Sequence, residues 1–269
     1  MGYREYFLGE HGEEIERLGI QHEVWRPMME SSWRAADLQT GHHVIDVGAG
    51  PGFASVDLAK WVGPNGSVTA VERSPGFIEV GIARAQSENL KHLSYVQADL
   101  LTDPLPVAQF EFAWCRWVIT FLSAPQVAIQ KVADSLKPGG KFVSHEYLQY
   151  DTWRLIPQSE PLEEFVELVI AKWKDSGGET DIARQMPDLV RGAGLTVESV
   201  KPIIFTMSPS EASWQWPSRF IRNQVPLYVN SGVLSTRESD LLLQELERAT
   251  NDPNSIMVSP LVLEVISVK

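Results

Sequence analysis

The segment Val44-Ile45-Asp46-Val47-Gly48-Ala49-Gly50-Pro51-Gly52-Phe53 sets three glycines at alternate positions directly after an apolar β-type run. Glycine permits a sharp turn, and without a Cβ its backbone N–H groups can approach a ligand closely. A helix starting there adds unpaired donors and partial positive charge, a setting for an anionic or nucleotide-like ligand. By itself such a loop is equally a tight strand-to-helix turn. Three carboxylates narrow the choice: Asp46 two residues before Gly48, Glu72 twenty residues after Gly52, and Asp99 in the later VQADLL stretch. Each falls where an apolar run ends. The carboxyl ends of strands are the edge where open α/β sheets bind ligands, and there a carboxylate such as Glu72 can accept both ribose hydroxyls.

The elements that must hold these residues read as strands and helices in alternation from Gly41 to about Tyr147. Short β-branched runs occupy 44–47, 67–72, 93–98, 110–115 and 141–147, with helical segments at about 54–62, 75–88 and 125–136. Continuous apolar runs of this length suit strands buried on both faces, and alternation with helices implies a parallel sheet with right-handed crossovers. Pro64-Asn65-Gly66 and Pro138-Gly139-Gly140 punctuate the pattern as turns. Residues 3–38 read as two helices. After Tyr147 an amphipathic helix ends near Gly177-Gly178, a shorter one covers 188–193, and a strand follows at about 195–206. An irregular helical insertion at 209–232, a charged helix from Thr236 and a terminal strand at 256–268 close the chain. Without an internal repeat or low-complexity linker, residues 1–269 are expected to form a single domain.

VIDVGAGPG, VERSPGFIEV, VQADLLTDPLP, FEFAWCRWVITFL and LKPGGKFVSHEY stand in the order and spacing of the class I S-adenosylmethionine-dependent methyltransferases, which the chain resembles over about residues 41–147. The resemblance implies a Rossmann-like α/β fold. Its seven-stranded sheet is mostly parallel with the last strand antiparallel, flanked by helices on both faces. It implies methyl transfer from S-adenosylmethionine to a small-molecule O, N or C nucleophile. Gly48, Gly50 and Gly52 would then approach the methionine part of the cofactor. Glu72 would hold the ribose with Arg73 beside the adenine, and Asp99 and Leu100 would contact the adenine. Arg116 would lie under the methionine end, and Asp46 would support the loop or the ammonium. The N-terminal stretch around Tyr6, Leu8, Gly9, Glu14, Arg17, Leu18 and Gln21 resembles a helical lid (residues 1–40) of small-molecule members, with Gln21 reaching the cofactor's carboxylate.

Two other classes stay open. An NAD-dependent oxidoreductase shares the strand, loop and ribose acid, although Phe53 stands where its fingerprint wants a third glycine. A cofactor-binding protein of the same fold without transfer activity is not excluded by any residue. For acid–base work the best-placed pair is His145 and Glu146, ending the fifth strand; neighbours on a strand point to opposite faces, so at least one should meet the pocket. None of the six histidines has metal-ligand spacing with cysteines or carboxylates. Cys115, inside AWCRW, reads as a packing residue. Trp117, Trp153, Trp214 and Trp216 suit either pocket lining or core.

Charge and composition bound the rest. The net charge of −12 over 269 residues, without a basic cluster, argues against a nucleic-acid partner. The N-terminus is too polar for a signal peptide, and no apolar stretch approaches the ~18 residues of a membrane span. A lone cysteine fits a reducing, cytoplasmic setting. The expected partner is a small methyl acceptor, with a homodimer left open.

Overall fold

A computed structural model describes residues 12–269. The lid residues Tyr6, Leu8 and Gly9 lie outside that range. The described chain divides into two compact units. One comprises the chain through Pro27 with Gln149–Ser176 and Ile204–Leu261; the other comprises Met28–Leu148, Gly177–Ile203 and Val262–Lys269.

The second unit carries the candidate site. Its strands β1 (His43–Val47), β2 (Ser67–Glu72), β3 (Leu93–Gln97), β4 (Phe110–Arg116) and β5 (Leu136–Gln149) are joined through helices α2 (Phe53–Val62), α3 (Pro75–Ser87) and α4 (Pro125–Ser135). A later helix and two strands, named below, complete a seven-stranded sheet. The pairs β3–β2, β2–β1, β1–β4 and β4–β5 are parallel. Beyond the amphipathic helix α5 (Glu160–Asp175) of the first unit come α6 (Met186–Gly192) and β7 (Thr196–Ile203). The final strand β10 (Leu261–Val268) inserts between β5 and β7. It runs antiparallel to β7, and against β5 its terminal Lys269 exchanges bonds with Gly139 and Gly140 while Ser267 lies opposite Phe142. Six parallel strands and one antiparallel strand are therefore as expected.

Period-two alternation sorts each strand between two cores. Val44, Val68, Ala70, Phe112, Trp114 and Val143 face one side, where α2 and the segment 28–38 cover them. Ile45, Val71, Ala113, Cys115 and Phe142 face the other, against α4 and α6. Residues 3–11 lie outside the described residues; of the 3–38 range expected to hold two helices, the described part forms one continuous helix, α1 (Gly12–Ala35), with Pro27 inside it. Trp33 and Met29 on it are fully buried in the sheet's core. Its back half is thus core.

The first unit holds the front half of α1, α5, α7 (Gln215–Asn230) and α8 (Thr236–Asn251), together with a small sheet of β6 (Arg154–Ile156), β9 (Ile256–Val258) and β8 (Thr206–Met207). Three expectations need correction here. The terminal strand breaks in two, because Ser259 and Pro260 leave the small sheet before β10 begins. The insertion is also largely regular. α7 runs sixteen residues, with Pro217 in its first turn, where no intrahelical N–H is required, and Pro226 inside. The strand expected at 195–206 likewise divides between β7 and β8.

Candidate functional site

The carboxyl ends of β1, β2, β3 and β4 bring most of the singled-out residues together. β1 hands the chain to the glycine loop, where Gly48, Gly50 and Gly52 all have positive φ (70°, 55° and 81°). The N–H groups of Gly48 and Ala49 bond Val71 O at 2.9 Å, which pins the loop to the end of β2. The three glycines then differ in duty. A Cβ on Gly50 would meet nothing within 4 Å, so that position opens on free space. A Cβ on Gly48 would come 2.4 Å from Val118 Cγ2, and one on Gly52 would come 2.0 Å from Tyr95 Oη. Gly48 and Gly52 are therefore needed for packing, and Gly50 is the position with room beside it.

Glu72 is the hub of this edge. Its Oε2 accepts from Gly50 N–H at 2.8 Å, and its Oε1 accepts from the N–H groups of Arg73 and Ser74, each at 2.8 Å. Burial raises its pKa, and those backbone donors work against the rise. Ala98 N–H bonds Glu72 O at 3.0 Å, which ties the end of β3 to the same point. Just beyond, Asp99 Oδ1 accepts from Leu101 N–H at 2.8 Å and shapes the turn; Leu100 is buried beside it. Gln97 Nε2 reaches Arg73 O at 3.2 Å.

Asp46 and Arg116 form the charged floor. Asp46 is buried and accepts from the Ser55 hydroxyl at 2.5 Å. Burial pushes its pKa up to about 6, opposed by the Ser55 bond and by Arg116. Burial likewise pulls Arg116 down to about 10, opposed by Asp46. Arg116 Cζ lies 5.2 Å from the Trp117 ring, which stacks on Tyr147 at 5.2 Å and 13°. Trp117 has φ 51°, an uncommon conformation for a bulky residue, stored at the end of β4. Trp117 is thus a buried side chain stacked on Tyr147.

The pair proposed for acid–base work points to opposite faces, as alternation requires, and both side chains are fully buried. Glu146 Oε1 accepts from Val118 N–H at 3.0 Å and Ile119 N–H at 2.9 Å, and Oε2 accepts from Thr120 N–H at 3.3 Å. It holds the turn after β4. Burial raises its pKa to about 7 against the pull of those three donors. His145 packs edge-on to Trp114 with ring centroids 4.9 Å apart, and its Nε2 lies 2.8 Å from Ser32 Oγ. Burial lowers its pKa.

Gln21 belongs to the other unit. Its Oε1 accepts from Arg17 at 2.8 Å and from Trp216 Nε1 at 2.9 Å, beside a buried Glu14–Arg17 ion pair. Trp214 and Trp216 are both buried in that unit, and Trp153 packs among Phe165 and Phe220. Sequence reasoning missed Ser55, Tyr95, Val118, Ser32 and Glu264. Only Glu264 left a signal: a lone acid inside the apolar run LVLEVISV. Among the described residues, no group of three or more His, Cys, Asp or Glu side chains could hold a metal ion.

With this geometry in view, a methyltransferase-domain family model matches residues 44–140, the segment from β1 to the turn in β5. Over this segment the chain is similar to the methyltransferase domain that its sequence resembles, and the match favours that reading over the NAD-dependent oxidoreductase. An uncharacterized 37.1 kDa protein from a Streptomyces fradiae transposon is 30% identical over 182 residues, covering 67% of this chain and 51% of that protein. Aklanonic acid methyltransferase from Streptomyces sp. strain C5 is 29% identical over 126 residues, covering 47% of this chain and 56% of its own length. The chain spans about half the length of these curated relatives. A candidate methyltransferase from Bacillus halodurans C-125 shares the fold, with a TM-score of 0.62 at 15% identity over 89% of this chain and 97% of that one. No described helix is long and apolar enough to cross a membrane.

Proposed function

We propose that the chain transfers a methyl group from S-adenosylmethionine to a small-molecule O, N or C nucleophile. The observation that carries this is the carboxyl edge of the sheet. There Glu72 ties an open Gly50 to the end of β2, with Asp99 at the next strand and a half-buried Arg116 at β4. These groups fit a nucleoside amino acid: hydroxyl acceptors at Glu72, an amino acceptor at Asp99, and backbone donors from 48–52. Arg116 supplies positive charge toward a carboxylate, and Asp46 negative charge toward an ammonium. Arg73 and Leu100 would flank the base. Gln21 reaching the carboxylate, and residues 12–27 serving as a lid, belong to the same proposal. So does the working of both units as one methyltransferase domain.

When bound, S-adenosylmethionine supplies an activated methyl electrophile. The protein's task is then positioning and exclusion of water. His145 and Glu146 are engaged inside the fold, so we assign them to holding the strand ends in place. Acceptor deprotonation by either one is the alternative that mutation tests below. The partner proposed is a small molecule, the setting cytoplasmic, and the oligomer a monomer or homodimer, to be separated by light scattering. The test is calorimetry with S-adenosylhomocysteine and with NAD, followed by detection of S-adenosylhomocysteine formed across an acceptor panel. Binding of the first alone, with turnover on an acceptor, is the expected result. No binding of S-adenosylhomocysteine overturns the proposal. Binding without turnover on any acceptor leaves only the cofactor-binding reading.

A further inference from the structure

We infer that Glu264 and Ser32 are positioning residues which hold His145 as a neutral, Nε2-protonated ring, and that its bare Nδ1 steadies Arg116. Ser32 Oγ lies 2.8 Å from His145 Nε2 and also hydrogen-bonds a Glu264 carboxylate oxygen. It lies 2.9 Å from Met28 O as well. A hydroxyl has one proton, and the carboxylate is its strongest acceptor here. The bond between Ser32 and His145 must then be donated by the ring, which places the proton on Nε2. Ser32, His145 and Glu264 are all buried, and burial disfavours the imidazolium. Nδ1 is left as a lone-pair nitrogen, and it has no hydrogen-bond partner.

The arrangement is unlike a hydrolase triad. There the acid orients the histidine through the ring nitrogen remote from the serine. Here the carboxylate bonds the serine instead, and the serine is buried. The network reads as a support, not a nucleophile.

Its neighbours say what it supports. Arg116 on β4 is in register with His145 on β5, and Glu264 on β10 is in register with Lys201 on β7. Lys201 Nζ lies 3.7 Å from Glu264 Oε1, and Glu264 Oε2 lies 3.7 Å from His145 Nε2. Trp114 covers the ring's edge, and Asp46 and Tyr147 face Arg116. With Nε2 held on the side of Ser32 and Glu264, a deprotonated Nδ1 leaves the negative end of the ring dipole on the ring's other side. There the proposal places Arg116, the neighbour in register on β4 whose charge bears on the ring. The other tautomer would turn the positive end toward that charge. This step from ring to cofactor rests on the reading of Arg116 under the methionine end.

Two measurements on the full chain test it. Long-range ¹⁵N–¹H spectra of the histidines should show His145 as the neutral Nε2–H tautomer at pH 7, and mixed tautomers in Ser32→Ala. An imidazolium, an Nδ1–H ring, or an unchanged ring in Ser32→Ala overturns the inference. Calorimetry with S-adenosylhomocysteine then compares two substitutions. Asn sets an amide oxygen near the place of Nδ1, whereas Gln reaches toward Ser32 in place of Nε2. His145→Asn should stay within about threefold of wild type, and His145→Gln should lose about tenfold, the scale of one hydrogen bond to a charged group. Any other ranking overturns the support of Arg116. Should both substitutions unfold the chain, the wild-type spectrum alone decides the tautomer. A wild-type chain that binds no S-adenosylhomocysteine would sink the methyltransferase reading and leave the tautomer result standing.

Discussion

Glu72, half-buried, and Glu146, fully buried, both accept backbone N–H groups, yet they lead to opposite expectations. Glu72 ties the glycine loop at an edge where Gly50 has open space, so its loss should be read in binding. Glu72→Ala should weaken S-adenosylhomocysteine by roughly 1.5–3 kcal/mol, about 10- to 100-fold, in a chain that stays folded. Wild-type affinity by calorimetry would refute the role. Glu146 should be read in stability. Its folded pKa, raised to about 7, lies above the carboxylate value of 4.5, so folding favours the protonated form. Its contribution is therefore full below about pH 4.5 and is lost as pH rises through 7. His145 works the other way, because its pKa is lowered: its contribution is present above 6.5 and lost as pH falls. The difference between wild type and Glu146→Gln isolates the first group. The variant should melt with a flatter decline between pH 5 and 7, and equal slopes would count against a buried, protonating Glu146. If either residue is instead the base, His145→Ala or Glu146→Gln should lower the maximal rate by ~10²-fold at unchanged cofactor affinity. The positions of Glu72, Asp99 and the glycines were legible because strand ends and glycines mark themselves in sequence. The duties of His145 and Glu146 were not, because Ser32 and the 118–120 backbone come from elsewhere in the chain.

The strand–loop–helix element shows why three like residues are unlike in consequence. Gly52 caps α2 at φ 81°, with Tyr95 Oη where its Cβ would be; Gly50 has no such neighbour. Gly52→Ala should therefore destabilise the fold by about 1–3 kcal/mol, the usual cost of overpacking. Tyr95→Phe, which removes the nearest atom, should recover part of that loss, and chemical denaturation of the single and double variants measures it. No recovery would place the strain in the backbone alone. Gly50→Val also carries the backbone strain of φ 55°, so it should lose some stability. Its side chain enters open space, however, and its distinctive effect should be lost cofactor binding, read at a temperature where the variant is folded. At this scale the sequence was most readable where apolar periodicity and turn residues agree: Ser67–Glu72 was delimited to the residue, and α2 and α3 to within one. It was least readable where one run serves two sheets. The 256–268 stretch is apolar apart from Ser259, Pro260, Glu264 and Ser267, and only Ser259-Pro260 marks the change from β9 to β10. In α7 the prolines suggested irregularity, although Pro217 occupies a first-turn position that costs no hydrogen bond.

For the whole molecule, the decisive feature is that α1 contributes to both units, dividing at Pro27. The resemblance of the stretch from Tyr6 to Gln21 to a helical lid gave residues 1–40 the look of a detachable cover, and the apolar spacing of the back half of α1 was too sparse to say otherwise. Trp33 shows the difference. It is fully buried, edge-on to Trp114 at 5.6 Å and to Trp61 at 5.7 Å, in the core under β1, β2 and β4. Removing so large a side chain from a packed core costs about 3–5 kcal/mol, a large share of the ~5–15 kcal/mol that holds a domain folded. Met29, Ala36 and Leu38 would go with it if the chain began near Thr40. Such a truncation should fail to fold cooperatively, instead of surviving as a folded domain without its lid. Trp33→Ala in the full chain should lower the melting temperature and leave S-adenosylhomocysteine affinity within a few-fold at temperatures where the variant is folded. Substitutions on the front half are the proper test of a cover: Gln21→Ala disturbs only its bonds with Arg17 and Trp216 and touches none of the sheet's core. Under the lid proposal it should reduce turnover or cofactor affinity with little change in melting. A truncation at Thr40 that melts cooperatively near the wild-type temperature would show that residues 28–38 are dispensable to the core, against the burial of Trp33 and Met29.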